Sequence, residues 1–310
     1  MGLLVGGEVA LRAVGWPKVD ARQFTHGNVY WVEDPGQHAE MHPHKETGGA
    51  FRVTTDPNGL RAPIHPEEKP AGVTRVMTLG CSTTFGWGVD DADSYPARLE
   101  ALFAEAGKNV EVINGAQPGY TSFQGLWLWD RALSRYAPDV VVFGYIVQDA
   151  RKVSFTDTSQ AALQANADFL KSNLLYHLRL YMGLRALVDG WRIQAKEQTG
   201  QDGGVYRVPP AEYVANLRDF HARIQKVGAK TVLFGFPLER DGYTAEHRRI
   251  LHAAAAELAV PVYDPQPEFE VATASETLYF PQDRGHANAA GLDRIARGMM
   301  AFLTTNGLVP

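Results

Sequence analysis

From Val73 onward the chain alternates short runs of β-branched and other apolar residues with longer amphipathic stretches. That alternation is the signature of β-α units and a parallel sheet. VTRVMTL (73–79), VEVIN (110–114), DVVVFGY (139–145), KTVLFGF (230–236) and VPVYD (261–264) predict five strands, the third being the most apolar. Helical periodicity runs through SYPARLEALFAEAG (94–107), TSFQGLWLWDRALSRY (121–136), PPAEYVANLRDFHARIQKVG (209–228) and TAEHRRILHAAAAELA (244–259), and a last helix is expected from Ala287 to Leu303. The fold class that follows is α/β, a three-layer α/β/α sandwich on a five-stranded parallel sheet.

Two regions depart from this rhythm. Residues 1–70 are expected to form an N-terminal extension, and residues 71–310 the main domain. Pro17 to Pro70 is irregular and rich in Pro, Gly and His, with one strand-like stretch, FRVTTDPNGLR, that carries the turn signal Asp56-Pro57-Asn58-Gly59. The apolar start MGLLVGGEVALRAVGW is interrupted by Glu8 and Arg12 before it reaches the roughly 20 residues that span a bilayer. It has neither a basic start nor a clear small-residue cleavage site. An amphipathic first helix and the tail of a membrane anchor both fit it, which leaves cytoplasmic and membrane-associated or extracytoplasmic locations open. The second departure, a helical insertion at about 157–205, has closely spaced apolar residues from Phe169 to Tyr181 and ends in TGQDGG (199–204). It is too long for an ordinary crossover and is expected to be an inserted helical pair or lid.

Composition narrows the function classes. With 45% hydrophobic and 21% charged residues, the 310-residue chain can bury a full core, and its formal charge of -5 gives no basic footprint for nucleic acid. The single cysteine, Cys81, excludes an intramolecular disulfide framework and a Cys-rich zinc site. His38, His42 and His44 lack an accompanying Asp or Glu ligand pattern and read as solvated loop residues, so no metal is expected. Nothing in the sequence sets an oligomeric state.

The candidate chemistry lies where loops leave the carboxyl ends of the strands, the usual position of reactive groups in open parallel sheets. GCSTTFG follows the first strand, NGAQPGY the second and GYIVQDA the third, while QDRGH precedes the final helix. A serine hydroxyl becomes nucleophilic when a histidine takes its proton and a carboxylate fixes that histidine's ring. Ser82 supplies the hydroxyl. The spacing Asp-x-x-His lets Asp283 reach Nδ1 of His286 while Nε2 faces outward. Charge developing on a tetrahedral oxygen needs fixed donors, each worth roughly 3–4 kcal/mol of barrier, and the Ser82 N–H, the Gly119 N–H and the Gln148 side-chain amide are the candidates. Trp87 and Tyr120, on the same loops, are candidate substrate-binding rings. Asp149 is expected to brace its loop, and Cys81 to pack beside the strand end.

Taken in order, GCSTTFGWGV (80–89), NGAQPGY (114–120), GYIVQDA (144–150) and DRGHANAAG (283–291) resemble the four blocks of the SGNH (GDSL-type) hydrolase superfamily. The resemblance runs from about Val73 to the C-terminus and implies a flavodoxin-like SGNH-hydrolase fold that needs no cofactor. It implies a serine esterase acting on small acyl esters, acetyl or short-chain, through an acyl-Ser82 intermediate. The alternatives are an acyltransferase acting on polysaccharide or envelope glycans, and a catalytically silent SGNH-like binding protein. Either enzyme would take a small-molecule or glycan ester. Two positions differ from the family pattern: Cys81 stands where Asp often precedes the serine, and Gln148 where the oxyanion-hole asparagine belongs. The extra methylene of Gln148 displaces its amide by about 1 Å, a shift that costs on the order of a hundredfold in rate unless the backbone compensates.

Overall fold

A computed structural model of the protein describes residues 2–16, 32–33, 36, 40–43, 49–153, 155–171, 178–184, 187, 204–239, 242–281, 283 and 285–310. Strands β1 (Thr74–Leu79), β2 (Val110–Asn114), β3 (Val140–Phe143), β4 (Lys230–Phe234) and β5 (Val262–Tyr263) pair in parallel in the order β2-β1-β3-β4-β5. This is the five-stranded α/β sheet that the hydrophobic pattern predicts, in the flavodoxin-like order. Its centre is covered on both faces, and the sequence reflects this: Val140, Val141, Val142 and Phe143 all have no exposed surface. Each such side chain stabilises the fold by about 1.5–3 kcal/mol through burial. Val76 sits in register between Val112 and Val140, which places the end of β1 between two other strand ends.

Helices flank the sheet in two packed groups. Helix α1 (Tyr95–Glu105) packs with α5 (Ala289–Thr305), while α3 (Pro210–Lys226) packs with both α2 (Ser122–Arg131) and α4 (Ala245–Leu258). Their starts are set by side chains that take up orphan backbone N–H groups. Ser94 caps α1, Thr121 and Gln124 form a capping box at α2, and Asn288 caps α5 by accepting from the Gly291 amide at 3.1 Å.

Two details differ from the sequence expectation. The helix expected over 121–136 stops at Arg131, and a tight turn from Leu133 to Tyr136 buries both of those side chains. The break comes at Ala132, whose backbone leaves the helical region at φ -140° and ψ -50°. A further short helix, Gln266–Ala272, begins between Pro265 and Pro267.

The chain divides into two compact units, Val32–Arg151 with Val208–Pro310, and Met1–Trp31 with Lys152–Arg207. The first holds the sheet and all five numbered helices. In the second, the helix Gly2–Ala13 presents Glu8, whose carboxylate accepts from the Arg179 and Leu180 amides at 2.9 Å each and from Arg12 at 2.8 Å. The Leu180 and Arg179 amides hold that carboxyl below its ordinary range. A two-stranded antiparallel ribbon, Lys152–Val153 with Val205–Tyr206, precedes the helix Asp157–Lys171, and Arg207 grips Asp157 with two bonds of 2.9 Å. Of the expected helical insertion, residues 172–177, 185–186 and 188–203 lie outside the described residues, as do His38, His44 and the side chain of His42. Among the described residues no helix is long and apolar enough to cross a membrane.

Candidate active site

Strand β1 ends at Leu79, and the chain passes through extended Cys81 into a single helical turn, Ser82–Phe85. Gly86 ends that turn in the left-handed region, at φ 87°. A Cβ there would lie 2.7 Å from the Ser94 Cβ, so the position requires glycine. The Gly86 and Trp87 amides both donate to the Ser82 carbonyl, at 3.0 and 2.9 Å. Ser82 is thus fixed at the end of β1, the strand from which the chain crosses first to β2 on one side and then to β3 on the other. In this topology the crevice at that switch point is where ligands bind.

The histidine arrives from the far end of the sequence. Segments 278–281 and 285–288 lie alongside each other: Tyr279 bridges Ala287, the Phe280 amide donates to the His286 carbonyl at 3.2 Å, and the Asn288 amide donates to the Leu278 carbonyl at 3.0 Å. One oxygen of Asp283 accepts from the Gly285 amide at 3.1 Å, and the other bonds to Nδ1 of His286. His286 Nε2 lies 2.8 Å from Ser82 Oγ, joining residues 204 positions apart. With the Nδ1 proton directed at Asp283, the Nε2 lone pair is left to accept the serine proton. The hydrogen bond from His286 is the main reason that the Asp283 carboxyl is held below its ordinary range.

The remaining candidates sit on neighbouring loops. Gly119, half-buried at φ 76°, lies in the turn after β2, and half-buried Gln148 in the turn after β3. Asp149, wholly buried, accepts from the Ser122 amide with both oxygens at 3.1 Å and also bonds Ser122 Oγ, which takes a further bond from Asn216 at 2.8 Å. A carboxylate at the start of α2 is favourably placed against the helix dipole. It ties the Gln148 loop to that helix. Trp87 is half-buried and packs edge-on against Phe51, with ring centroids 5.1 Å apart. Tyr120 has no exposed surface, so it reaches a substrate only if its loop opens. Cys81 is buried, and burial pushes its thiol pKa up, away from the thiolate that a nucleophile needs.

A groove of about 480 Å³ runs between the segment after Ser82, with Val89, Asp90 and Asp93, and the segment around His286, with Phe280 and Asn288; Phe51 lines it too. Neither Ser82 nor His286 is among the residues that line it.

Residues 78–294 match the model of the GDSL-like lipase/acylhydrolase family. The chain belongs to this family. This GDSL-like hydrolase is similar to several solved structures. LAE5, an alpha/beta hydrolase enzyme from the metagenome of Lake Arreo, Spain, is 20% identical at a TM-score of 0.51, over 78% of this chain and 98% of its own. TesA is 19% identical at a TM-score of 0.48, over 74% and 98%. Axe2, an acetylxylan esterase from Geobacillus stearothermophilus, is 16% identical at a TM-score of 0.49, over 74% and 93%. No curated protein matches the sequence.

Sequence reasoning passed over three buried polar residues that serve the GDSL-like hydrolase's loops, Arg61, Asn114 and Gln117. Arg61 and Gln117 bond to segments distant in sequence, and most of the acceptors that all three use are backbone carbonyls, which leave no residue pattern to read.

Proposed function

We propose that this GDSL-like hydrolase is a serine esterase that cleaves small acyl esters, acetyl or short-chain, through an acyl-Ser82 intermediate. The observation that carries the reading is the continuous hydrogen-bonded chain from Ser82 Oγ through His286 to Asp283. Ser82 Oγ attacks the ester carbonyl carbon as its proton passes to His286 Nε2. The tetrahedral oxyanion is met by the Ser82 and Gly119 N–H groups and the Gln148 amide. Collapse breaks the bond to the alcohol oxygen, which leaves with the proton from His286. Water then attacks the acyl-serine, gives its proton to His286, and Ser82 recovers that proton as the carboxylic acid departs. Asp283 stays ionised throughout and holds the ring in the tautomer that the first step needs.

The test is to trap the intermediate. Acid quenching during turnover of p-nitrophenyl acetate, followed by peptide mass spectrometry, should find an acetyl group on Ser82. Absence of that adduct, with equal hydrolysis by the protein and by Ser82→Ala, would assign the chain to the catalytically silent binding proteins instead. A second expectation concerns the oxyanion donors: Gln148→Ala should lower kcat about 100-fold while leaving KM within about twofold. An unchanged kcat in steady-state assays would remove Gln148 from that role.

A further inference from the structure

The family match begins at residue 78, yet the loop that carries Ser82 is held from outside it. Arg61 has no exposed surface, and burying a guanidinium is costly unless every N–H finds an acceptor. Here all five do. Nε donates to Asp91 at 2.9 Å, Nη1 to the carbonyls of Phe85 and Gly86 at 3.0 and 2.6 Å, and Nη2 to those of Arg52 and Val89 at 2.8 and 2.6 Å. Three of these five acceptors are main-chain carbonyls of the stretch immediately following Ser82.

Two of the peptide groups involved connect Arg61 directly to the nucleophile's backbone. The Phe85–Gly86 and Gly86–Trp87 peptides turn their carbonyls to Arg61 Nη1 and their N–H groups to the Ser82 carbonyl. Peptide planes are rigid, so the position of the guanidinium fixes that of Ser82. Arg61 is itself well anchored. Its backbone bridges Thr55 and also Asn114, the last residue of β2, whose side chain donates to the same Phe85 carbonyl at 3.2 Å. The preceding turn is closed by Asp56, which accepts from the Asn58 and Leu60 amides at 2.8 Å each. Gln117, wholly buried in the loop that carries Gly119, donates to the Gly59 carbonyl at 2.9 Å and accepts from the Glu33 amide at 2.8 Å. The same N-terminal segment thus grips two of the loops on which the esterase reading depends.

We propose that Arg61 is a positioning residue for Ser82, and that the segment around it is a working part of the catalytic apparatus lying outside the family domain. The proposal rests on the acyl-Ser82 reading. The variants are Arg61→Met, which has the bulk without the donors, and Arg61→Lys, which keeps the charge but loses the fork. Arg218→Met, at an exposed pair with Glu257, is the control. For p-nitrophenyl acetate, Arg61→Met should lower kcat by about 100-fold with KM within about twofold, Arg61→Lys should fall between, and the control should match wild type. Hydrogen–deuterium exchange should rise about tenfold or more over residues 82–89 in Arg61→Met and stay unchanged at Val140–Phe143. A folded Arg61→Met with wild-type kcat and wild-type exchange over 82–89 overturns the proposal. Exchange raised equally at Val140–Phe143 also overturns it, since that is general destabilisation. If Arg61→Met does not fold, Arg61→Lys is judged by the same measurements. If the wild-type protein neither hydrolyses the ester nor acquires an acetyl group on Ser82, the esterase reading fails; the exchange data then still decide whether Arg61 holds the turn.

Discussion

Replacing Ser82 by alanine should lower kcat for p-nitrophenyl acetate by about 10⁴-fold or more, equivalent to roughly 5.5 kcal/mol of barrier. The substitution removes one oxygen and little else. Ser82 is 8% exposed, and the bonds that shape its turn run to its main-chain carbonyl from the Gly86 and Trp87 amides, so they survive in the variant. The melting temperature should therefore stay close to that of wild type, which separates loss of the nucleophile from loss of the fold. Some hydrolysis above the uncatalysed rate should persist, because bound ester still meets the oxyanion donors while water attacks directly. Neighbouring Cys81 does not substitute for the serine, since its thiol is buried and held protonated. A variant that kept a tenth of the wild-type rate would move the nucleophile elsewhere and end the acyl-Ser82 mechanism.

The fold is legible in the sequence wherever burial leaves a pattern. Strand β2 runs over Val110–Asn114, the bounds that its apolar run predicts, and β3 is apolar throughout because both of its faces are covered. Legibility fails where one spacing serves two geometries. The stretch after Arg131 keeps a helical spacing of apolar residues, but the backbone leaves the helical region at Ala132, and the tight turn that follows keeps the pattern by burying Leu133 and Tyr136. Helix Gln266–Ala272 escapes notice because its flanking prolines resemble a loop, although proline is well tolerated in a first helical turn. The candidate site divides in the same way. Asp283 and His286 are close in sequence, so their spacing alone suggests that they meet. Their approach to Ser82 depends on the sheet order, which puts β1 at the switch point. Arg61 is illegible for a different reason: four of its five acceptors are carbonyls, which every residue has.

Substituting Asp283 by asparagine should cost about 10³- to 10⁴-fold in kcat, less than loss of the nucleophile, and for a reason specific to hydrogen bonding. As a carboxylate, Asp283 only accepts, so the proton on His286 sits at Nδ1 and Nε2 is free to take the proton of Ser82. An asparagine amide can donate to Nδ1 and drive the proton to Nε2, and the ring then offers Ser82 a donor where it needs an acceptor. The turn itself should persist, because Oδ1 of Asn can still accept from the Gly285 amide. Stability should depend on pH in a defined direction. The folded-state carboxyl of Asp283 is depressed, chiefly by the hydrogen bond from His286, so its stabilising contribution is fully present above the unfolded value near about 3.9 and is lost as pH falls through the folded value. Melting temperatures of wild type and Asp283→Asn should therefore differ at about pH 5 and converge in stronger acid as the wild-type carboxylate takes up its proton. A margin that widened as pH fell below about 5 would mean that the folded carboxyl is raised and not depressed, which would remove its role in setting the His286 tautomer.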